Sequence, residues 1–494
     1  MSLLYTETKN NGISLETTEN NIVNLFMLYE RYISNEILDE YLWKAWNENS
    51  LKTIAIIYNS RDRINGKKEK NCSNRGMIWL RKNHFDIYKL NIKTYVEKYG
   101  CWKDILYISN LLNDTNYELK MIANQLIDDK KNYLENKPIS LCSKWAPSEN
   151  DKYKNKNLGL KIATYIFNND KKKMEKYRKE ILTPLRKKLN LIEIYMCSKK
   201  WDEIDYNNVC ANSMKKYKNA FIKNDKEKYE NYLKSIYNGE KKIKTTGILP
   251  HELVKNYLKN SNSLYDETIE LQWKELINNV KLSGLLNNTI PIVDVSGSMY
   301  SGNDKYVSPL EVSISLGLLI SSCTTGYFKN KIITFSEKPE IIDIEGDTLY
   351  EKVKNISKIN SGYNTNFEAV FDLIINSSKL YNLDNNSIPN KVICLTDMQF
   401  DQASFKNIET VYETIKNNFK INNYNIPNFI FWNINSSEKT FPVNCKTENT
   451  AIISGFSEQL LKIFMKYNKF NPEIIVEEIL EPYLKDIIII EEVD

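Results

Sequence analysis

Residues 290–298 read IPIVDVSGS: a short apolar run, then a carboxylate at Asp294 and hydroxyls at Ser296 and Ser298. An apolar run bounded by a Gly-containing turn suits a buried strand. At such a strand's carboxyl end, side-chain oxygens at i, i+2 and i+4 can face one point in space. Hard divalent cations take all-oxygen shells of this kind, and Mg²⁺ in particular takes few protein ligands and keeps several waters. Two later segments supply further oxygens. In SGYNTNFEAVFDLII, residues 361–375, a Gly-containing turn presents Thr365 just before a helix, and in KVICLTDMQFD, residues 391–401, a second buried-looking strand runs into Asp397.

The order D-x-S-x-S, then Thr, then Asp resembles the metal-ion-dependent adhesion site of von Willebrand factor A (vWA) domains. The resemblance implies Mg²⁺ as cofactor, with Mn²⁺ or Ca²⁺ as substitutes. It implies that Ser296, Ser298 and Thr365 bind the metal directly, that Asp294 and Asp397 act largely through water, and that an acidic residue of a protein partner completes the shell. Pro291 departs from what a central strand wants, because it removes one ladder hydrogen bond.

Around these motifs the pattern alternates strand and helix, as a doubly wound, Rossmann-like α/β domain should. Helix SPLEVSISLGLLISSC follows the first strand; then come strand KIITFS, helix TLYEKVKNISK, helix FEAVFDLIINSSKL, strand KVICLT, a helix at residues 411–419, strands NFIFWNI and TAIIS, and helix SEQLLKIFMKY. Ligands of such sheets sit at the strands' carboxyl ends, where DVSGS and Asp397 fall. This domain is expected over residues 286–470, with a C-terminal helix and tail at 471–494. Upstream the period is helical: NNIVNLFMLYERYI, SLKTIAIIYN, FDIYKLNIKTYVEKY, WKDILYISNLL and YELKMIANQLIDDKKNYL each place apolar residues at i, i+3, i+4 and i+7. Helices of this length joined by short turns predict an all-α, HEAT-like solenoid over residues 20–285, after an N-terminal tail at 1–19. No clean repeat of fixed period supports it.

Composition narrows the function classes. A chain of 494 residues with 42% hydrophobic content suffices for two or more cored domains. Its start has no signal-peptide pattern and no run approaches the roughly 18 apolar residues of a span, so a cytoplasmic protein with no membrane partner is expected. The eight cysteines form no C-x-x-C pair, which points away from zinc sites and disulfide frameworks, and His84 and His251 are too few for a histidine-rich metal site. Heavy use of Asn, Lys, Ile and Tyr suggests an AT-rich coding genome; if that genome is viral, the setting is the host cytoplasm.

The net charge is +5, unevenly spread: residues 1–285 carry 50 Lys+Arg against 36 Asp+Glu, the remainder 18 against 27. A basic half suits a polyanion, although two mutually complementary domains would give the same asymmetry. Three stretches concentrate the charge. RDRINGKKEKNCSNRG holds Arg61, Arg63, Lys67, Lys68, Lys70 and Arg75 around a turn at Asn65 and Gly66; SLCSKWAPSE puts Lys144 beside Trp145; YRKEILTPLRKKL carries Arg178, Arg186, Lys187 and Lys188. Phosphates need positive charge on a rigid frame, and single-stranded RNA adds bases that stack on aromatic faces.

These segments, with YGCWKD, SKWAPSE, ILTPLRKKLNLIEIYMCSKKWDEI and GILPHELV, resemble the successive motifs of an uncharacterised two-domain family labelled domain of unknown function 2828. In it a helical module similar to the TROVE module precedes a vWA domain, an architecture similar to that of the Ro autoantigen. The resemblance implies a TROVE-like α-helical domain here and, by analogy, binding of single-stranded or structured small RNA. The basic loop departs from the family at Asn65, where Gly is expected.

The chain ends in Glu491, Glu492, Val493 and Asp494, which resemble the tail by which heat-shock chaperones engage carboxylate-clamp tetratricopeptide domains; alternatively residues 487–490 tie the end to the α/β sheet. The expected function is a non-enzymatic RNA-binding, ribonucleoprotein-type protein whose vWA domain binds Mg²⁺ and recruits a protein partner. The alternative is a scaffold that binds an acidic partner through the metal and no nucleic acid. A hydrolase is disfavoured, since no general base is partnered with the site and no Ser-His-Asp context surrounds the serines.

Overall fold

The apolar run at residues 290–293 forms, in a computed structural model of the chain, the strand Thr289–Asp294, buried along its whole length. The structure describes residues 5–7, 13–148, 157–168, 170–258, 263–282, 286, 288–300, 307–335, 338–357, 367–398, 408–435, 439–464 and 470–490. The strands among them are β1 (Tyr5–Glu7), β2 (Ile13–Leu15), β3 (Thr289–Asp294), β4 (Lys331–Phe335), β5 (Ile341–Asp343), β6 (Lys391–Thr396), β7 (Asn428–Asn433) and β8 (Thr450–Ser454). The chain divides into two compact units.

The first unit comprises Met1–Cys72, Cys210–Lys215 and Ser235–Ile487. Its sheet has the order β5-β4-β3-β6-β7-β8, parallel throughout except for β5, which pairs antiparallel with β4. The sheet is therefore mixed, and the short strand IID, half-exposed, carries too little apolar pattern to be read in advance. Strands β3, β6 and β8 are buried throughout, which demands cover on both faces. Part of that cover is helix Pro309–Cys323, started by Pro309 and a reciprocal capping box between Ser308 and Glu311. A Cβ on Gly317 would lie 2.5 Å from Val293 Cγ2, so glycine there lets the helix lie directly on β3. Pro291 is accommodated because β4 joins the ladder only at Ile292, while β6 runs alongside from Thr289.

Helices Asn21–Leu28 and Pro472–Leu484 also belong to this unit and cover the edge strand β8, whose unpaired side would otherwise invite association, and helix Ser50–Arg61 packs on both of them. Tyr483 donates its hydroxyl to Asp62 Oδ2 (2.9 Å) and accepts from Asn59 Nδ2 (3.2 Å). The compact unit thus gathers helices from both sides of residue 285, the division read from sequence.

The second unit comprises Ser73–Val209, Lys216–Lys234 and Ile488–Asp494. The expected helices form as Phe85–Thr94, Trp102–Leu111 and Asn116–Leu134, and π-helical turns occur at Tyr95–Tyr99 and Tyr177–Leu182. Buried polar groups are linked: Tyr95 Oη donates to Asn74 Oδ1 (2.7 Å), Asn74 Nδ2 to Asp104 Oδ1 (3.3 Å), and Asp104 Oδ2 accepts the Cys101 N–H (2.9 Å). That last bond starts helix Trp102–Leu111 and gives the acidic end of YGCWKD its structural role. The tail needs a correction. Ile488 is not tied to the sheet, because both of its main-chain groups are held by Asn91 of this helical unit, while Ile487 still belongs to the first unit; Glu491, Glu492, Val493 and Asp494 lie outside the described residues.

Candidate metal centre

Numbered within the sheet, the strand order runs 3-2-1-4-5-6, so the winding direction reverses between β3 and β6. At such a switch point the loops leaving two adjacent strands diverge and open a crevice at their carboxyl ends, where ligands of doubly wound sheets bind. Asp294 ends β3, and Asp397 immediately follows β6. Both are buried. Asp294 Oδ1 accepts the Ser296 N–H (2.9 Å), which turns the chain sharply out of the strand, and Oδ2 accepts the Thr396 hydroxyl (2.7 Å). Ser296 Oγ and Ser298 Oγ are 3.1 Å apart in the turn that follows.

Burial first and the neighbouring Asp397 second push the Asp294 carboxyl up to about 7, against the pull of the hydrogen bonds from Ser296 and Thr396. Two buried carboxylates that repel each other, with two hydroxyls adjoining, form a hard-oxygen set whose charge a divalent cation would neutralise, so the residues fit such an ion. Among the described residues no group of three or more His, Cys, Asp or Glu is placed to hold a metal, so the fit rests on carboxylates supplemented by hydroxyls. Thr365, the remaining expected ligand, lies outside the described residues. Thr396 was not anticipated. A hydroxyl inside a strand is ordinary, and only its place directly before Asp397 could have signalled a role.

A family model described as a domain of unknown function (DUF2828) matches residues 8–124 and 118–286, more than half of the chain. The chain belongs to the DUF2828 family. A second model, also a domain of unknown function (DUF7788), matches residues 288–483 and contains the candidate centre. Uncharacterized protein L728 of Acanthamoeba polyphaga mimivirus is 34% identical over 512 aligned residues, covering 97% of this chain and 87% of that protein. Among solved structures, the crystal structure of the Deinococcus radiodurans RO (RSR) protein aligns over 94% of this chain and 100% of that one, with a TM-score of 0.38 and 12% identity.

The basic residues of this DUF2828 member do not share one face. Arg61 and Lys67 are buried. Lys67 Nζ donates to the carbonyls of Phe26 (2.5 Å) and Tyr29 (3.2 Å) and to Ser454 Oγ (2.7 Å), satisfying carbonyls at the end of helix Asn21–Leu28. Burial holds its ammonium down at about 7. Lys68 pairs with the buried Glu458 at 2.6 Å. The expectation that Lys67 and Lys68 meet RNA is therefore corrected: both are engaged within the sheet-bearing unit, where they hold the loop in place. At Asn65, where the loop departs from the family, no glycine is needed for close packing: the close backbone approach is made by Gly66, where a Cβ would sit 2.0 Å from the Asn59 carbonyl oxygen. Arg63 remains exposed, and Lys70 and Arg75 are half-buried.

The other two stretches do meet, within the helical unit. Arg186 donates to the carbonyls of Ser143 (2.8 Å) and Ala146 (2.7 Å), bracing the SKWAP turn. Trp145 is half-buried, with the ammonium groups of Lys103 and Lys144 at 4.8 and 5.3 Å from its ring centre. Arg178, Lys187 and Lys188 are exposed, and Lys188 Nζ donates to Asn136 Oδ1 (2.8 Å). Lys103, in YGCWKD, is an addition that sequence reasoning missed.

Proposed function

We propose that this chain is a non-enzymatic binding protein whose α/β unit is of the vWA kind, takes Mg²⁺ (or Mn²⁺ or Ca²⁺) at the β3/β6 switch point, and offers the ion to a carboxylate of a protein partner. The observation that carries the reading is the buried pair Asp294 and Asp397 at the carboxyl ends of adjacent strands, with Ser296 and Ser298 in the adjoining turn. When bound, the cation would supply a positive centre for an acidic ligand. Asp294 holds Ser296 in place through its N–H, and Thr365 is the further ligand proposed. Titration calorimetry of the full chain with MgCl₂ tests this. Saturable binding that Asp294→Ala or Thr365→Ala abolishes, with circular dichroism unchanged, supports it; undiminished affinity in those variants removes the assigned ligands.

RNA binding is a second reading, favoured by the Trp145 site, where an indole flanked by two lysines is braced against a basic helix. Stacking platforms beside cationic side chains are how single strands are held without sequence preference. Residues 1–285 alone do not form a compact unit, so the test uses the full chain: affinity for single-stranded RNA that falls with salt and with Trp145→Ala supports RNA binding. Affinity no greater than that of a protein of matched charge leaves the metal-bridged scaffold as the function. Among the described residues no helix is long and apolar enough to cross a membrane.

A further inference from the structure

Beyond the last helix the chain carries four consecutive isoleucines, residues 487–490, a run of high strand propensity. It joins no sheet. Ile488 instead lies against helix Phe85–Thr94, where one carboxamide takes both of its main-chain groups: Asn91 Nδ2 donates to the Ile488 carbonyl (2.6 Å), and the Ile488 N–H donates to Asn91 Oδ1 (3.0 Å). Asn91 is itself buried, and its Nδ2 also donates to the Ile87 carbonyl one turn back (2.8 Å), so its own helix fixes the orientation of the amide. The tail's side chains alternate. Ile487 and Ile489 are half-buried, whereas Ile488 and Ile490 are 52% and 51% exposed.

A pre-oriented amide that grips main chain, with every second side chain turned inward, is how receptors hold extended peptides: backbone hydrogen bonds supply the grip and alternate side chains the selectivity. We propose that the face of helix Phe85–Thr94 around Asn91 is a binding site for extended β-branched peptides, filled in cis by the chain's own residues 488–490. When they leave, a segment of the same chemistry enters in trans. Tethering gives the tail an effective concentration of order millimolar, so a peptide in solution competes poorly against it. The decisive protein is therefore one whose own tail cannot dock.

Full-length chain carrying Ile488→Pro lacks the N–H that Asn91 accepts and keeps the helix intact. The probe is a fluorescein-labelled peptide of residues 486–494, DIIIIEEVD, followed by anisotropy. It should bind the Ile488→Pro chain at least tenfold more tightly than the wild type. N-methylation at the peptide's third residue, the counterpart of Ile488, should weaken binding tenfold or more. Adding Asn91→Ala should do the same with helical content preserved; if that substitution unfolds the helix, the N-methyl peptide still decides. No saturable binding to Ile488→Pro, equal binding to it and the wild type, or an N-methyl peptide that binds as tightly would each overturn the proposal.

Discussion

Replacing Asp294 with Asn should make the metal-free protein more stable at pH 8, although it removes a buried hydrogen-bonded side chain from a central strand. The folded protein holds the Asp294 carboxyl at about 7, against 3.8 ordinarily. Between those values the folded state binds more protons than the unfolded one, so stability falls as pH rises through the window. One unit is worth about 1.4 kcal/mol, which sets an upper figure of about 4 kcal/mol lost by pH 8. Asn carries no charge, and its Oδ1 keeps the Ser296 N–H; its Nδ2 faces the Thr396 hydroxyl, which must turn from donor to acceptor while it still accepts the Met398 N–H. That rearrangement costs about 1 kcal/mol. The variant should therefore gain about 2–3 kcal/mol at pH 8 and nothing at pH 4. Mg²⁺ reverses the ranking: at a thousandfold excess over its dissociation constant it stabilises the wild type by about 4.1 kcal/mol and leaves Asp294→Asn unmoved. Thermal melts in EDTA and in MgCl₂ at both pH values measure all four cases. A variant less stable than the wild type at pH 8 in EDTA, or one stabilised equally by Mg²⁺, would refute the reasoning.

Three further outcomes are expected. Ser298→Ala should raise the Mg²⁺ dissociation constant at least tenfold in calorimetry with the melting temperature in EDTA little changed, since the half-buried Ser298 hydroxyl gives up a bond to Ser296 and leaves the hydrogen bonds to Asp294 in place. Lys67→Met should cost about 2 kcal/mol by leaving the Tyr29 carbonyl without this donor, while the Phe26 carbonyl keeps the Ser454 hydroxyl; because the Lys67 ammonium is held at about 7, below its ordinary 10.5, the unfolded chain binds the extra proton between those values, wild-type stability rises with pH there, and the deficit of the variant in denaturant titrations should be larger at pH 9 than at pH 7. On the RNA reading, Trp145→Ala should weaken single-strand binding by about 1–3 kcal/mol per base stacked, alike across sequences, whereas charge removal at Lys187 and Lys188 should flatten the dependence of log affinity on log salt by roughly 0.7 for each phosphate left without its counter-charge, as read by filter binding at several salt concentrations.

What the sequence discloses depends on how far the responsible constraint reaches along the chain. Strands β3, β6, β7 and β8 are legible because cover on both faces forces nearly continuous apolar runs, and Asp294 and Asp397 because a carboxylate closing such a run has no place in an ordinary core. Periodicity in NNIVNLFMLYERYI or SLKTIAIIYN says that a helix buries a face; it does not say against what, and the first covers β8 and the second packs on helix Pro472–Leu484, each some four hundred residues away. Lys67 misleads for the same reason: a lysine in a charged loop reads as solvated, and only the Gly66 turn and the carbonyls of Phe26 and Tyr29 make it an interior cap. Asn91 is silent in sequence, since a polar residue on a helix is unremarked until Ile488 is beside it. The same logic separates the candidate centre from mere packing. Asp104 and Lys67 are buried polar groups whose hydrogen bonds hold the fold together. Asp294 differs in its neighbour: Lys67, which burial also penalises, faces Glu30 and Glu69, whose charges favour the ammonium, whereas Asp294 faces a carboxylate of its own sign, and apolar residues at these strand ends would remove that cost. A carboxylate pair that opposes folding, set where the winding of the sheet reverses, makes physical sense when a bound cation offsets it, and on that sign the proposed function stands.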